Sequence, residues 1–226
     1  MISAGNDIVC LTATNVTRTK SPEFYAKIIS PAEKALLNTL DQASLPFDRF
    51  VWLLWSVKES AYKYLHRLDP AIVFTPVKFE VQSVAVPSDF SCSDSGTDTI
   101  TGLGLMDLTL FSGTITYGGI TLFFRSMIFT DIIASFVNAE DDFFNLRWGI
   151  KRVDESSYKF QSDAVRQFVL EELRTMPGLY ELTIEKTEDE IPVLWSCGKR
   201  LEMPVSLSHH GHWVAFAVQT QGFALR

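Results

Sequence analysis

The sequence predicts an α+β protein with two lobes, and three observations lead to that class. Helical and strand-like patterns occur in separate blocks along the 226 residues instead of alternating. A stretch dense in charge, residues 138–157, separates a longer first segment from a shorter second one. Hydrophobic residues make up 46% of the chain and charged residues 21%, which is typical of a folded globular protein. We therefore expect one lobe over residues 1–140 and another over residues 141–226.

The first segment is expected to begin with a strand and to continue with two helices. Residues 8–11 are apolar and lie between turn-forming and polar residues, which favours a short strand. A serine-proline pair at residues 30–31 is typical of a helix start, and the predicted helix runs to about Thr39. A longer helical pattern covers residues 47–68 and stops before Pro70.

Strand-like runs follow these helices at residues 73–86, 108–117 and 120–137. Residues 87–99, between the first two runs, are rich in Ser, Asp and Gly, which predicts a surface loop. Residues 108–124 carry no charge, as a membrane span would. Their threonine content and the Gly118-Gly119 pair instead favour two strands joined by a turn.

The second segment is expected to hold one amphipathic helix and several strands. The helix covers residues 163–176 and ends before a Pro-Gly pair. Residues 179–185 are strand-like, and residues 191–203 are rich in turn-forming residues. Residues 205–218 are predicted to form two strands around a histidine-glycine turn.

Charge and cysteine content limit the possible functions. The formal net charge of −7 gives no support for a nucleic-acid partner. Cys10, Cys92 and Cys197 are widely spaced and form no CxxC pair, so neither a disulfide framework nor a structural zinc site is indicated. The first residues lack the basic-then-apolar pattern of a secretory signal. A reducing, cytoplasmic compartment is therefore expected.

The second predicted helix carries the first candidate for chemistry. Trp55, Glu59 and Lys63 fall at i, i+4 and i+8, so they share one helix face. Lys58 lies about 100° around the helix from Glu59. A carboxylate between ammonium groups would suit a magnesium ion and a phosphate. The spacing alone favours the plainer alternative, an exposed Glu–Lys pair worth about 0.2–0.5 kcal/mol.

Two further segments are ambiguous when each is considered alone. Asp7 follows Gly5-Asn6, so it is either a turn residue or a metal ligand at the start of a strand. Residues 206–212 (SLSHHGH) contain three histidines, but no fourth zinc ligand is evident. A hydroxyl and an imidazole at a strand end would suit a phosphate contact. A polar hairpin tip explains the same residues equally well.

Taken together, these segments resemble the 4′-phosphopantetheinyl transferase superfamily. Residues 55–63 (WSVKESAYK) match its pattern of W/F, S/A, any residue, K-E-S/A, two residues and K. Residues 5–9 (GNDIV) resemble its G-I/V-D-I motif, with Asn6 in place of an aliphatic residue. Residues 206–209 (SLSH) and 213–218 (WVAFAV) resemble its S-H-S/T and W-V-x-x-A-V stretches.

The resemblance implies an enzyme that transfers 4′-phosphopantetheine from coenzyme A to a serine of an apo acyl or peptidyl carrier protein, releasing 3′,5′-ADP. It implies that Asp7 and Glu59 hold Mg²⁺, and that Glu59 or a water it orients takes the serine proton. Lys58 and Lys63 would contact phosphate oxygens. Three residues of the other lobe would surround the nucleotide's phosphates: Ser208, His209 and Lys199.

The order of these motifs is unusual for the family. In its longer, two-lobed type the S-H stretch precedes the G-x-D motif, whereas here it lies near residue 209. The short, trimeric type has the order seen here but is about half as long. We therefore expect a monomer with two pseudo-symmetric lobes in swapped order, each a small antiparallel sheet with helices.

One departure from the family pattern leaves other functions open. Many two-lobed members carry a second acid two residues after the metal-binding aspartate, and here that position is Val9. A non-catalytic module that binds carrier proteins or coenzyme A would fit such a loss. A magnesium-dependent phosphohydrolase using the same carboxylates is the second alternative.

Overall fold

Antiparallel sheets and helices build the chain in the computed structural model, which describes residues 2–38, 40, 45–94, 96–105 and 110–220. The α-helices within these residues are α1 Val16–Thr19, α2 Pro22–Tyr25, α3 Pro31–Leu37, α4 Phe47–Leu68 and α5 Tyr158–Leu173. The strands are β1 Gly5–Cys10, β2 Glu80–Ala85, β3 Thr99–Leu103, β4 Phe111–Tyr117, β5 Ile120–Ile128, β6 Ile132–Asn138, β7 Leu146–Arg152, β8 Leu182–Lys186, β9 Pro192–Ser196, β10 Lys199–Arg200, β11 Val205–His210 and β12 Trp213–Gln219. This mixture of antiparallel sheets and few helices agrees with the predicted α+β class.

Helix α4 has the bounds that the sequence predicted. Its N-terminal flank is Pro46, whose fixed φ suits a helix start, and Pro70 follows its end. Helix α3 begins as expected, with the Ser30 hydroxyl accepting from the Glu33 N–H and the Glu33 carboxylate accepting from the Ser30 N–H. It ends at Leu37, and the predicted end at Thr39 lies outside the described residues.

The first sheet has the strand order β1-β6-β5-β4-β2. The uncharged stretch forms the hairpin β4–β5, and its turn is Gly118-Gly119, where both residues have positive φ. The predicted hairpin is therefore confirmed from Phe111 onward, while positions 108 and 109 lie outside the described residues. No helix in the described part of the chain is long and apolar enough to cross a bilayer.

The second sheet has the order β11-β12-β7-β3 and corrects two expectations. Residues 146–152, expected to lie in a connection, form the inner strand β7. Its charged Arg147 and Lys151 point toward α5, where they pair with glutamates, whereas Trp148 and Ile150 are buried in the core. Residues 99–103 pair with β7 as strand β3, although Thr99 was expected to end a loop and no strand was predicted for the residues after it. Helix α5 also begins five residues earlier than predicted, at Tyr158.

The core has three parts, and together they define four layers. Helix α4 packs on the outer face of the first sheet. Ile8 and Phe136 of the first sheet meet Trp148 and Ala215 of the second sheet between the two. On the far face of the second sheet, Phe216 and its neighbours pack against α5. The small sheet β10-β9-β8 lies beside α5 and β11.

The predicted boundary near residue 140 falls between β6 and β7. In the first sheet β1 pairs antiparallel with β6, and in the second sheet β7 pairs antiparallel with β12. Strand β3, from residues 99–103, belongs to the second sheet although it precedes that boundary. The division into lobes at residue 140 therefore stays a prediction, with one strand crossing it.

Candidate functional site

A cavity of about 400 Å³ opens where the first half of the chain meets the second. Its walls are Asp7 on β1, the C-terminal half of α4, the first turns of α5, the β8–β9 connection and β11. Acidic and basic side chains both line it. This is a size and composition suited to a polar small molecule.

Asp7 is the most buried carboxylate at this cavity. Side chains alternate along β1, so Gly5 and Asp7 face α4 while Asn6 faces the second sheet. Asp7 is only 5% exposed, and its Oδ2 has no hydrogen-bond partner among the described residues. Burial, and then the nearby charge of Glu59, raise the pKa of Asp7 from 3.8 to about 7, although Lys63 acts in the opposite direction.

Glu59 and Lys63 stand one turn apart on α4, directly over Asp7. The Lys63 ammonium lies 3.1 Å from Asp7 Oδ1 and 3.2 Å from Glu59 Oε1, and it also donates to the Asn6 carbonyl. Burial by itself would lower the pKa of Lys63, but attraction to Glu59 and Asp7 outweighs it and raises the pKa. The sequence prediction that these three residues come together is thus met. We call Asp7 and Glu59 the carboxylate pair.

The carboxylate pair fits a magnesium ion better than an all-protein metal site. Within the described residues, no three His, Cys, Asp or Glu side chains cluster as metal ligands. Magnesium commonly takes one or two carboxylates and completes its shell with water and substrate phosphates. The unpartnered Asp7 Oδ2 and the mutual repulsion of the pair are what a bound cation would relieve. The residues present therefore suit Mg²⁺.

Ser208 and His209 reach the same cavity from β11, but they differ in availability. The Ser208 hydroxyl is buried, accepts from Asn6 Nδ2 at 2.8 Å and donates to the Ala215 carbonyl. His209 is partly buried with its ring edge-on to Tyr158. Burial, and then the charge of Lys63, lower the pKa of His209, which favours the neutral form of its ring. Among the described residues the His209 ring has no hydrogen-bond partner and is available to a ligand, while the Ser208 hydroxyl is bonded between the two sheets.

His210 does not belong to this site. Its Nδ1 accepts the Cys10 N–H at 2.9 Å, which satisfies a backbone donor on the free edge of β1. His212 contacts the carbonyl of Val153 at the other side of the Gly211 turn. The three histidines therefore contact three different parts of the structure.

Lys58 occupies a different position from the one expected. Its side chain is completely buried on the core side of α4, where Nζ donates to Glu33 Oε2 at 2.7 Å and to the Ile28 carbonyl at 2.6 Å. Burial lowers the pKa of Lys58, and Glu33 counteracts the shift. This placement argues against the expected phosphate contact, because the ammonium lies away from the cavity. Its role is to tie the segment before α3 to α4.

Lys199 also lies outside the cavity wall. It is exposed on β10, opposite Ser196. Its predicted contact with the nucleotide stays a prediction.

Several cavity residues were not singled out from the sequence. The largest omission is Arg67, which follows Glu59 and Lys63 at i+8 and i+4 and so shares their helix face. This spacing was the available signal. Other charged or aromatic cavity residues come from α4, α5 and the end of β8, and no local pattern connects them: His66, Tyr158, Arg166 and Lys186.

Two carboxylates and a lysine over this cavity are chemically suited to a phosphorylated ligand and a divalent cation. Residues 3–90, which include the carboxylate pair and all of α4, match the family model of the 4'-phosphopantetheinyl transferase superfamily. The resemblance inferred from the motifs is confirmed over this segment, which is less than half of the chain. No curated protein and no solved structure matches the chain.

Proposed function

We propose that the protein transfers 4′-phosphopantetheine from coenzyme A to a serine of an apo acyl or peptidyl carrier protein and releases 3′,5′-ADP. The observation that carries the proposal is the convergence of Asp7, Glu59 and Lys63 at the cavity, within the segment that matches the superfamily. Magnesium, when bound, would polarise the pyrophosphate and offset the charge of the leaving group.

Five residues at the cavity then have defined parts in the reaction. Asp7 and Glu59 hold the metal, and Lys63 turns from their oxygens toward those of the phosphate. The serine oxygen attacks the β-phosphorus, the bond to the 3′,5′-ADP oxygen breaks, and Glu59 or a water it orients takes the serine proton. His209 contacts the nucleotide's phosphates, and Ser208 positions β1 through Asn6 instead of contacting the ligand itself.

The two-lobed arrangement in swapped order is part of the same proposal. The antiparallel pairing of β1 with β6, and of β7 with β12, supports it, because each half then closes its own first strand against its last. We also propose a monomer in the cytoplasm. An experimental structure in which the two halves fail to superpose would contradict the symmetry, and a light-scattering mass near twice 25.5 kDa would contradict the monomer.

Intact-mass analysis tests the activity. The protein is incubated with coenzyme A, Mg²⁺ and a panel of apo carrier proteins, and we expect one carrier to gain the phosphopantetheine mass. Glu59→Gln should abolish the gain while the fold persists. Glu171→Gln is the matched control, because Glu171 is a half-exposed helix carboxylate paired to a lysine outside the cavity.

The same assay separates the alternatives. Release of 3′,5′-ADP with no carrier modified would favour a phosphohydrolase. Binding of carrier or coenzyme A without either product would favour a non-catalytic module. Full activity of Glu59→Gln would contradict the metal assignment.

A further inference from the structure

Arg67 places a further cationic group at the far end of the cavity from the carboxylate pair. It lies in the last turn of α4, two turns beyond Glu59 and therefore about 12 Å farther along the helix axis. Its side chain lines the cavity and is mostly buried. A cation near a helix C-terminus is favourable, which explains part of the placement of Arg67 but not its hydrogen bonds.

Those contacts extend from the first half of the chain to the second. Arg67 Nη2 donates to the carbonyl of Pro192 at 2.9 Å, at the start of β9, and to the carbonyl of Val205, at the start of β11. Its neighbour His66 meets the carbonyl of Asp189 in the β8–β9 connection at 3.5 Å. The end of α4 therefore holds two separate strands through backbone oxygens.

The hydrogen bonds and charge of this guanidinium are incomplete. Its Nε is buried without an acceptor among the described residues. No ion pair within the described part of the chain includes Arg67, whereas Lys63 faces the carboxylate pair and Lys186 faces Glu190. A buried cation without a counter-charge is costly, so an anion entering the cavity gains more here than at the paired lysine.

A phosphate group supplies the negative charge and the acceptor oxygens that suit this guanidinium. A guanidinium presents several N–H groups in one plane and binds phosphate through two of them at once. Besides the carboxylate pair, the cavity acids are Asp189 and Glu190 on the β8–β9 connection, and Lys186 pairs with Glu190. A phosphorylated ligand that reaches from the carboxylate pair toward the end of α4 would therefore meet Arg67.

We propose that a phosphate oxygen of the ligand completes the hydrogen bonds of Arg67. Arg67 then acts as a positioning residue, because it fixes the β8–β9 connection and the start of β11 against α4. The ligand thus joins the two halves of the chain through one side chain. The proposal rests on the proposed function for the identity of the ligand, but not for the contacts that Arg67 makes.

Hydrogen–deuterium exchange with 3′,5′-ADP as probe tests this, with adenosine as the phosphate-free comparison and Mg²⁺ in all samples. In the unchanged protein, saturating 3′,5′-ADP should slow exchange about tenfold in peptides covering residues 187–193 and 204–208. Adenosine should leave the exchange of both peptides unchanged. In Arg67→Gln, 3′,5′-ADP should bind about tenfold more weakly, and the two peptides should exchange as without ligand even at saturation.

Arg49→Gln is the matched control. Arg49 also lies on α4 and also donates to two backbone carbonyls, those of Phe129 and Thr130, but outside the cavity. This variant should show the ligand-induced protection of the unchanged protein. Arg67→Lys keeps the charge without the planar group, so it should retain partial affinity and little protection, and it serves if Arg67→Gln does not fold.

The outcomes separate the two proposals. Carrier modification by the unchanged protein, together with full protection in both Arg67 variants, would overturn the role of Arg67 alone. A role limited to stability would lower the unfolding temperature of Arg67→Gln and still leave the protection intact, which also overturns it. If the unchanged protein neither binds 3′,5′-ADP nor modifies any carrier, the proposed function fails and this inference fails with it.

Discussion

Asp7→Asn is expected to stabilise the metal-free protein at alkaline pH while abolishing transfer. The carboxylate of Asp7 is buried and its Oδ2 is unpartnered, so its negative charge is unfavourable in the fold. Asparagine has nearly the same shape without that charge. The variant therefore separates the cost of the charge from the packing of the side chain.

The magnitude follows from the pKa of Asp7, which rises from 3.8 to about 7 on folding. Because the folded pKa is raised, the contribution of this group to stability is complete below pH 3.8 and is lost as the pH rises through about 7. A shift of about three pKa units corresponds to about 4 kcal/mol. The free energy of unfolding of Asp7→Asn, measured relative to that of the unchanged protein, should therefore rise by up to about 4 kcal/mol between pH 4 and pH 8.

Urea unfolding with EDTA at several pH values measures this difference. Titrating groups whose charges do not interact with Asp7 affect both proteins alike, and a change in amide hydrogen bonding adds only a constant offset. Asp163→Asn, at an exposed helix position, should show no such trend. Adding Mg²⁺ at pH 8 should then stabilise the unchanged protein and leave Asp7→Asn unaffected. A free-energy difference that is equal at pH 4 and pH 8 would refute the reasoning about burial.

Three further substitutions test the packing that builds the site. Lys58→Met should cost about 3–5 kcal/mol in urea unfolding, since Glu33 loses its buried partner; weaker binding of 3′,5′-ADP at unchanged stability would instead place Lys58 at a phosphate. Gly5→Ala would put a Cβ 2.2 Å from the Ser60 carbonyl. It should cost about 1–3 kcal/mol and lower transfer by moving the carboxylate pair apart, and normal unfolding and turnover would contradict this. Ser208→Ala should cost about 1–3 kcal/mol with an unchanged KM for coenzyme A, whereas a raised KM at full stability would indicate a direct phosphate contact.

Local sequence patterns were sufficient where residues adjacent in the sequence determine the structure. Helix α4 was predicted from residue 47 to residue 68 because proline limits both ends and its apolar period is regular. The Ser30-Pro31 start of α3 and the Gly118-Gly119 turn depend equally on adjacent residues. These elements carry the helix face and the strand on which the site is built.

Local sequence patterns failed where a segment far away in the sequence determines the structure. The charges of β7 suggested a connection, but α5 supplies glutamates that pair with them, so the strand lies inside a sheet. The direction of Lys58 was equally undetermined. At about 100° from Glu59 it could reach either the cavity or the core, and only the packing of Glu33 behind α4 selects the core. Arg67 was missed because its acceptors lie on strands more than 120 residues away.

The departure from the family pattern at Asn6 and the S-H stretch are linked by two hydrogen bonds. The Asn6 side-chain amide donates to the Ser208 hydroxyl at 2.8 Å, and the Asn6 backbone N–H donates to the Ser206 hydroxyl at 3.0 Å. Both serines lie on β11, beside the edge of β1 that β6 leaves unpaired. An aliphatic residue at position 6 would leave the buried Ser208 hydroxyl without this donor. Asn6 therefore connects β1 to β11 in the second half of the chain and holds Asp7 at the junction where the cavity opens.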